Sequence, residues 1–240
     1  MRDPVAEARQ TIDSAIAEFG DSLAVLTSFQ REGVVILDLV MQAAPRMPVL
    51  TIDTGRLPEA TFQIIDEVER RYGIKVERIV PDAAEVSSMV ERHGRDLFRE
   101  AVAMRMLCCN VRKVRPLARR MQGVAAFFNG MRRAQSESRA DIEVFDRSGP
   151  PVKISPLADW TTEHVAQYTL EHRLPEHPLY AAGYSSIGCD PCTRAVAAGE
   201  DERAGRWWWE LDAAKECGLH FSADGKAERT VDVLLRELLT

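Results

Sequence analysis

Four short apolar runs, each ending in a turn, alternate with stretches of helical periodicity, and this rhythm restricts the fold more than any other feature. The runs are residues 23–26, 48–53, 75–80 and 124–128. Between them, residues 34–41 read as a buried helix. Residues 58–72 read as an amphipathic one, with Thr61, Ile64, Ile65, Val68 and Tyr72 on one face and Gly73 at its end. Residues 5–19 add a helix before the first run. Residues 95–107 and 109–121 add two more, with a kink near Cys108-Cys109, and 161–173 add another. A short amphipathic helix is expected over 230–239, and 146–151 reads as a loop. Strands alternating with helices imply an α/β fold, a parallel twisted sheet with helices on both faces. In such sheets ligands sit beyond the carboxyl ends of strands. Three polar turns follow strands here, at 27–30, 53–56 and 130–133, and they are expected to converge on one site.

The 240 residues carry 37 acids and 31 Lys plus Arg, a net charge of −6 that argues against a protein coating nucleic acid. No window approaches ~18 uninterrupted apolar residues, so no membrane span is expected. The first 20 residues mix acids and bases and lack the apolar stretch of a signal peptide. The cytoplasm is the expected compartment. The chain reads as one α/β domain over 1–210 and a mobile carboxyl-terminal segment over 211–240.

Cysteine usage points to chemistry. There are five: an adjacent pair, Cys108-Cys109; a C-x-x-C pair, Cys189 and Cys192; and Cys217 alone. In a reducing compartment this pattern suggests four metal or cluster ligands and one thiol with separate work. Four thiolates can hold zinc or an iron–sulfur cluster. Neighbouring side chains diverge, so Cys108 and Cys109 suit one tetrahedral ion poorly, whereas a cluster offers separate iron corners. Buried structural cysteines are the plain alternative.

Residues 109–121 carry Arg112, Lys113, Arg115, Arg119 and Arg120 and no acid. This is either a solvated face or a positive field beside an anion. Arg132, Arg133, Arg203 and Arg206 add cations at loop positions, and guanidinium forks match sulfate and phosphate oxygens. Cys217 lies between Lys215 and His220, either of which could draw its thiol below the ordinary value of about 8.5. Of Trp207, Trp208 and Trp209, two are expected in the core and one at a rim. His93, His164, His172 and His177 show no metal-ligand spacing and read as structural or surface residues.

Six stretches in order resemble the sulfonucleotide reductases, the assimilatory adenylyl-sulfate and phosphoadenylyl-sulfate reductases. They are residues 51–57 (TIDTGRL), 108–114 (CCNVRKV), 130–136 (GMRRAQS), 186–194 (SIGCDPCTR), 205–210 (GRWWWE) and 215–220 (KECGLH). The resemblance runs over about residues 20–220. It implies an adenine nucleotide alpha hydrolase-like (PP-loop type) fold and reduction of adenylyl sulfate to sulfite and AMP. The electron donor it implies is thioredoxin or a glutaredoxin-like reductant. It implies that Cys217, with His220, is catalytic, and that Cys217 becomes a thiosulfonate. It implies that Cys108, Cys109, Cys189 and Cys192 ligate a 4Fe–4S cluster. It places Ser28, Phe29, Gln30, Asp53, Thr54, Gly55, Arg56, Lys113, Arg132, Arg203 and Arg206 around the substrate. In the family the four cluster cysteines accompany adenylyl sulfate rather than its 3′-phosphorylated form. Two departures stand out: residues 28–33 lack the glycine-and-acid pattern common in that loop, and no histidine follows Leu57. Alternatives are the same reaction on the 3′-phosphorylated nucleotide, an ATP pyrophosphatase, and a cluster- or zinc-binding sensor. The sequence leaves a homo-oligomer open.

Overall fold

The computed structural model describes residues 3–136 and 139–210, and the backbone of 220–221 and 227–228. The chain forms two compact units. One comprises Met1–Thr51, Glu59–Glu77 and Gly123–Tyr180; the other comprises Ile52–Pro58, Arg78–Gln122 and Ala181–Thr240.

The first unit opens with α1 (Pro4–Phe19). Asp3 accepts from the Val5 N–H, Pro4 starts the helix, and Ala8, Ile12 and Ala15 bury one stripe. β1 (Leu23–Leu26) follows, then α2 (Arg31–Ala43), in which every residue from Gly33 to Met41 is buried. One of those is Asp38, and it is satisfied: Tyr72 Oη donates at 2.6 Å, Tyr168 Oη at 2.8 Å and Gln42 Nε2 at 2.7 Å. A buried carboxylate without such donors would be strongly destabilising. β2 (Val49–Ile52) and α3 (Glu59–Tyr72) come next, and α3 ends at Gly73 with φ +65°.

A six-stranded sheet runs in the order β3-β2-β1-β4-β6-β5, with β3 Val76–Ile79, β4 Ala126–Phe128, β5 Phe145–Asp146 and β6 Val152–Ile154. β1 pairs parallel with β2 and β4, and β4 parallel with β6; β5 pairs antiparallel with β6 at the edge. The sheet is therefore mixed rather than wholly parallel. Neither β5 nor β6 was expected, because two or three residues are too few to show a period of two. β1 and β4 meet where the chain reverses its direction of travel across the sheet. One apolar core, including Ile12, Val25, Ile36, Val49, Ile65 and Phe128, fills this unit.

The second unit is mostly helical. α4 (Ala83–His93), capped by Asp82, was missed in a stretch with few large apolar residues. Residues 97–99 form a 3-10 turn where a longer helix was expected. α5 (Val102–Cys109) runs into a π-helical turn, Asn110–Val114, and on into α6 (Arg115–Arg120). The expected kink is thus a widened turn, the kind of local irregularity that often marks functional sites. The unit's core gathers Leu97, Phe98, Cys108, Val111, Cys189, Cys192 and Trp207. Of the three tryptophans only Trp207 is fully buried; Trp208 and Trp209 are half-buried. Among the described residues no helix is long and apolar enough to cross a membrane. The boundary expected at 210/211 and the helix expected over 230–239 fall outside the residues described in detail.

Candidate active site

In the first unit the chain leaves β1 through a strained turn. Phe29 adopts φ +56°, costly for a side chain with a Cβ, and its N–H donates to Thr27 Oγ1 at 3.0 Å. The Phe29 ring is wholly buried, so this residue offers a ligand its backbone only. Gln30 Nε2 donates to Ser28 Oγ at 3.1 Å. The Arg31 N–H, at the start of α2, donates to Tyr180 Oη, and the Arg31 guanidinium stacks 4.1 Å from that ring. Gly33 is required here: a Cβ would lie 2.3 Å from Thr27 Oγ1. Beyond β4, Arg132 is 1% exposed and its guanidinium forks onto Glu32 at 2.7 and 3.0 Å.

In the second unit residues 53–56 form a tight turn. Asp53 Oδ1 accepts from Gly55 N–H at 2.9 Å, and Gly55 takes φ +68°. Arg56 is held by the Arg95 carbonyl and Asp96, whose carboxyl its guanidinium keeps below the ordinary range. Arg112 Nη1 donates to the Thr54 carbonyl at 2.8 Å, and the Asp190 N–H donates to the Arg56 carbonyl at 2.8 Å. The turn is thereby tied to both cysteine pairs.

Cys108, Cys109, Cys189 and Cys192 are all buried, all free of disulfides, and line one small cavity. Arg56, Arg105, Arg112 and Lys113 supply its cations, and Phe98 and Pro191 its apolar wall. The helix arranges this directly: Arg112 and Lys113 stand four residues after Cys108 and Cys109. Burial pushes the Cys192 thiol up to about 12, and nearby Cys189 adds to the rise, while Lys113 and Arg206 oppose it. Burial likewise raises Cys108, against Arg112. Among the described residues, no three His, Cys, Asp or Glu side chains converge on one ion-sized point.

Arg206 is buried with its guanidinium 4.6 Å from the Trp207 ring centre. Arg203 lies at the preceding turn, its carbonyl accepting from the Arg206 N–H. Arg105 faces the other contact on Trp207 at 4.5 Å and forms a two-pronged ion pair with Glu210, both bonds 2.9 Å. Sequence reasoning missed Arg105, although it sits three residues before Cys108 on the same helix, and missed Glu210 and Glu32. Cys217 lies outside the described residues. His220 is described only as backbone, in a two-residue strand paired with Ala227–Glu228.

The mostly parallel sheet with turns at its strand ends, in a chain that also holds a cation-lined tetracysteine cavity, defines a nucleotide-binding α/β protein equipped for sulfur or metal chemistry. Residues 22–195 match the phosphoadenosine phosphosulfate reductase domain, and the chain belongs to that family. It is 44% identical over 202 residues to the adenosine 5′-phosphosulfate reductase of Allochromatium vinosum, covering 83% of this chain and 79% of that one. It is 41% identical over 222 residues to the enzyme of the same name from Agrobacterium fabrum, covering 92% and 84%. The crystal structure of phosphoadenylyl-sulfate reductase from Candida auris, a phosphate complex, superposes with a TM-score of 0.66 at 26% identity, over 79% of this chain and 90% of that one. The PP-loop-like fold expected from the sequence is the one present.

Proposed function

We propose that this chain is an oxidoreductase that reduces adenylyl sulfate to sulfite and AMP in sulfate assimilation. The observation that carries this reading is the set of four buried cysteines in one cavity with Arg56, Arg105, Arg112 and Lys113, within a chain 44% identical to an adenosine 5′-phosphosulfate reductase.

Cys108, Cys109, Cys189 and Cys192 would hold a 4Fe–4S cluster. Their burial and their spread around one cavity suit several metal corners better than one ion. Bound there, the cluster would supply a fixed charge that organises the surrounding cations. The protein's residues do the rest. Residues 28–30 and 53–56 would bind the nucleotide, and Lys113, Arg203 and Arg206 the phosphosulfate. Cys217, assisted by His220, attacks the sulfur as a thiolate. The sulfur–oxygen bond to AMP breaks, and Cys217 carries the sulfonate as a thiosulfonate. A dithiol reductant of the thioredoxin or glutaredoxin type then attacks the Cys217 sulfur. Sulfite leaves, and the reductant's second thiol resolves the mixed disulfide. Both electrons come from the dithiol.

Single turnover without reductant, followed by mass spectrometry, is expected to find the added sulfonate on Cys217. Sulfite release by Cys217→Ser at the wild-type rate would refute the mechanism. Competition between adenylyl sulfate and its 3′-phosphorylated form separates the two nucleotides. Iron and acid-labile sulfide content separates a cluster from zinc.

A further inference from the structure

β1 and β4 are sheet neighbours, yet the chain runs from β1 outward to β2 and returns to the other side with β4. Loops at such a reversal flank the ligand crevice of an open α/β sheet. Two residues tie those loops together. Glu32 lies in the first turn of α2, just past the β1 loop, and Arg132 lies four residues past β4. Arg132 Nη2 and Nε reach one Glu32 oxygen at 2.7 and 3.0 Å, and Nη1 donates to the Trp160 carbonyl at 3.2 Å. The backbones are equally close. A Cβ on Gly130 would lie 2.7 Å from the Glu32 carbonyl carbon and 2.8 Å from its oxygen. Asn129 Oδ1 fixes the same loop, accepting from Met131 N–H at 2.9 Å and Ser155 Oγ at 3.0 Å.

We infer that Glu32 and Arg132 are positioning residues, a clamp that sets the width of the nucleotide crevice, and that Arg132 does not itself grip the sulfo group. The inference rests on the sulfonucleotide reading and refines it. Arg132 is 1% exposed, and three of its nitrogens point at protein acceptors with one negative charge among them. An arginine so neutralised and enclosed supports the loops rather than an incoming anion. Loosening the clamp then weakens whatever part of the ligand fills the crevice, and that part is common to AMP and adenylyl sulfate.

The test is calorimetric binding of AMP and of adenylyl sulfate to the full chain, with steady-state kinetics alongside. For Glu32→Gln and Arg132→Lys, both ligands are expected to weaken by the same factor, about tenfold, the scale of one charge-assisted hydrogen bond. The ratio of the two affinities stays constant, KM rises, and kcat stays within about twofold. The exchanged pair Glu32→Arg with Arg132→Glu recovers part of the AMP affinity, which a general loss of stability in the single variants would not allow. Loss of adenylyl sulfate binding with AMP binding intact would place Arg132 on the sulfo group and overturn the clamp. Unchanged affinities would overturn it as well. A wild-type protein that binds neither ligand would instead remove the sulfonucleotide reading itself, and the clamp with it.

Discussion

The Thr54 hydroxyl lies 3.2 Å from the Cys189 sulfur, and the same oxygen accepts the Arg56 N–H at 3.2 Å. With one lone pair occupied by that amide, the hydroxyl proton is free to point at the sulfur. A thiolate that gains such a donor in a buried site is stabilised, and hydrogen bonds to ligand sulfur tune metal sites generally. Thr54→Val keeps the shape and removes the donor. If the four cysteines hold an iron–sulfur cluster, iron is expected to leave the variant about 10- to 100-fold faster under a chelator challenge, the scale on which loss of such a support residue weakens metal binding. Thr54→Ser should behave as wild type. Equal iron loss from all three proteins would show that the contact does not support the metal centre.

Gly188 makes room for Arg206. A Cβ at 188 would stand 2.3 Å from Arg206 Nη2 and 2.4 Å from Cζ. The obstructed atoms are the far end of a flexible side chain, so Gly188→Ala should fold with a thermal midpoint within a few degrees of wild type. The guanidinium must nevertheless leave its place over Trp207. If Arg206 binds the phosphosulfate, kcat/KM for sulfite release is expected to fall at least about tenfold, the scale of one charge-assisted contact. Retained activity with Arg206 visibly displaced would release it from that role.

The repeated strand–turn–helix pattern was legible because residues 23–26 and 49–52 are dense apolar runs, and because 59–72 keeps its apolar stripe for four turns. The cysteine quartet was legible as a set from pairing alone. Contacts between distant residues were not. Nothing in Glu32 or Arg132 taken singly announces that they meet 100 positions apart, and Arg132 read as an available cation when its charge is spent. Nor did the sequence show that Phe29, expected around the substrate, buries its side chain on a backbone in the left-handed conformation that ordinarily favours glycine. Trp208 and Trp209 remained half-buried because the segment is anchored by Trp207 and Glu210 instead.

That anchor makes its own prediction. Arg105 and Glu210 are almost fully enclosed, with side chains 2% and 4% exposed. Removing one partner strands a charge in the interior, and Glu210→Gln is expected to cost about 3–5 kcal/mol of unfolding free energy. Replacing both, as Arg105→Met with Glu210→Leu, removes the unpaired charge and should recover most of that loss. Denaturant unfolding of the two single variants and the double gives the coupling directly. Additive losses would mean that the two residues act independently despite their 2.9 Å contacts.

His177 carries the clearest pH dependence. It is 1% exposed, its Nδ1 accepts the Leu179 N–H at 3.3 Å, and its Nε2 therefore bears the proton and donates to Thr61 Oγ1 at 3.0 Å. Burial alone pushes its pKa down to about 4, from an ordinary value near 6.5. Above about pH 6.5 the ring is neutral in both states and pH has no effect through it. As pH falls below that value, the unfolded chain takes up a proton that the folded chain refuses. Stability is therefore lost progressively from about pH 6.5 to about pH 4, where the folded ring also protonates, and the total attributable to this group is about 3 kcal/mol. Asp146 titrates beneath this window: burial would raise its carboxyl, but Lys153 and Ser148 hold it at about 2. Urea unfolding between pH 4.5 and 7.5 should show stability falling with acidity in the wild type. His177→Gln, which keeps an amide hydrogen-bonding group and cannot titrate, should be less stable at neutral pH and nearly flat across the same range. A variant whose stability falls as steeply as the wild type's would assign the acid sensitivity to some other residue.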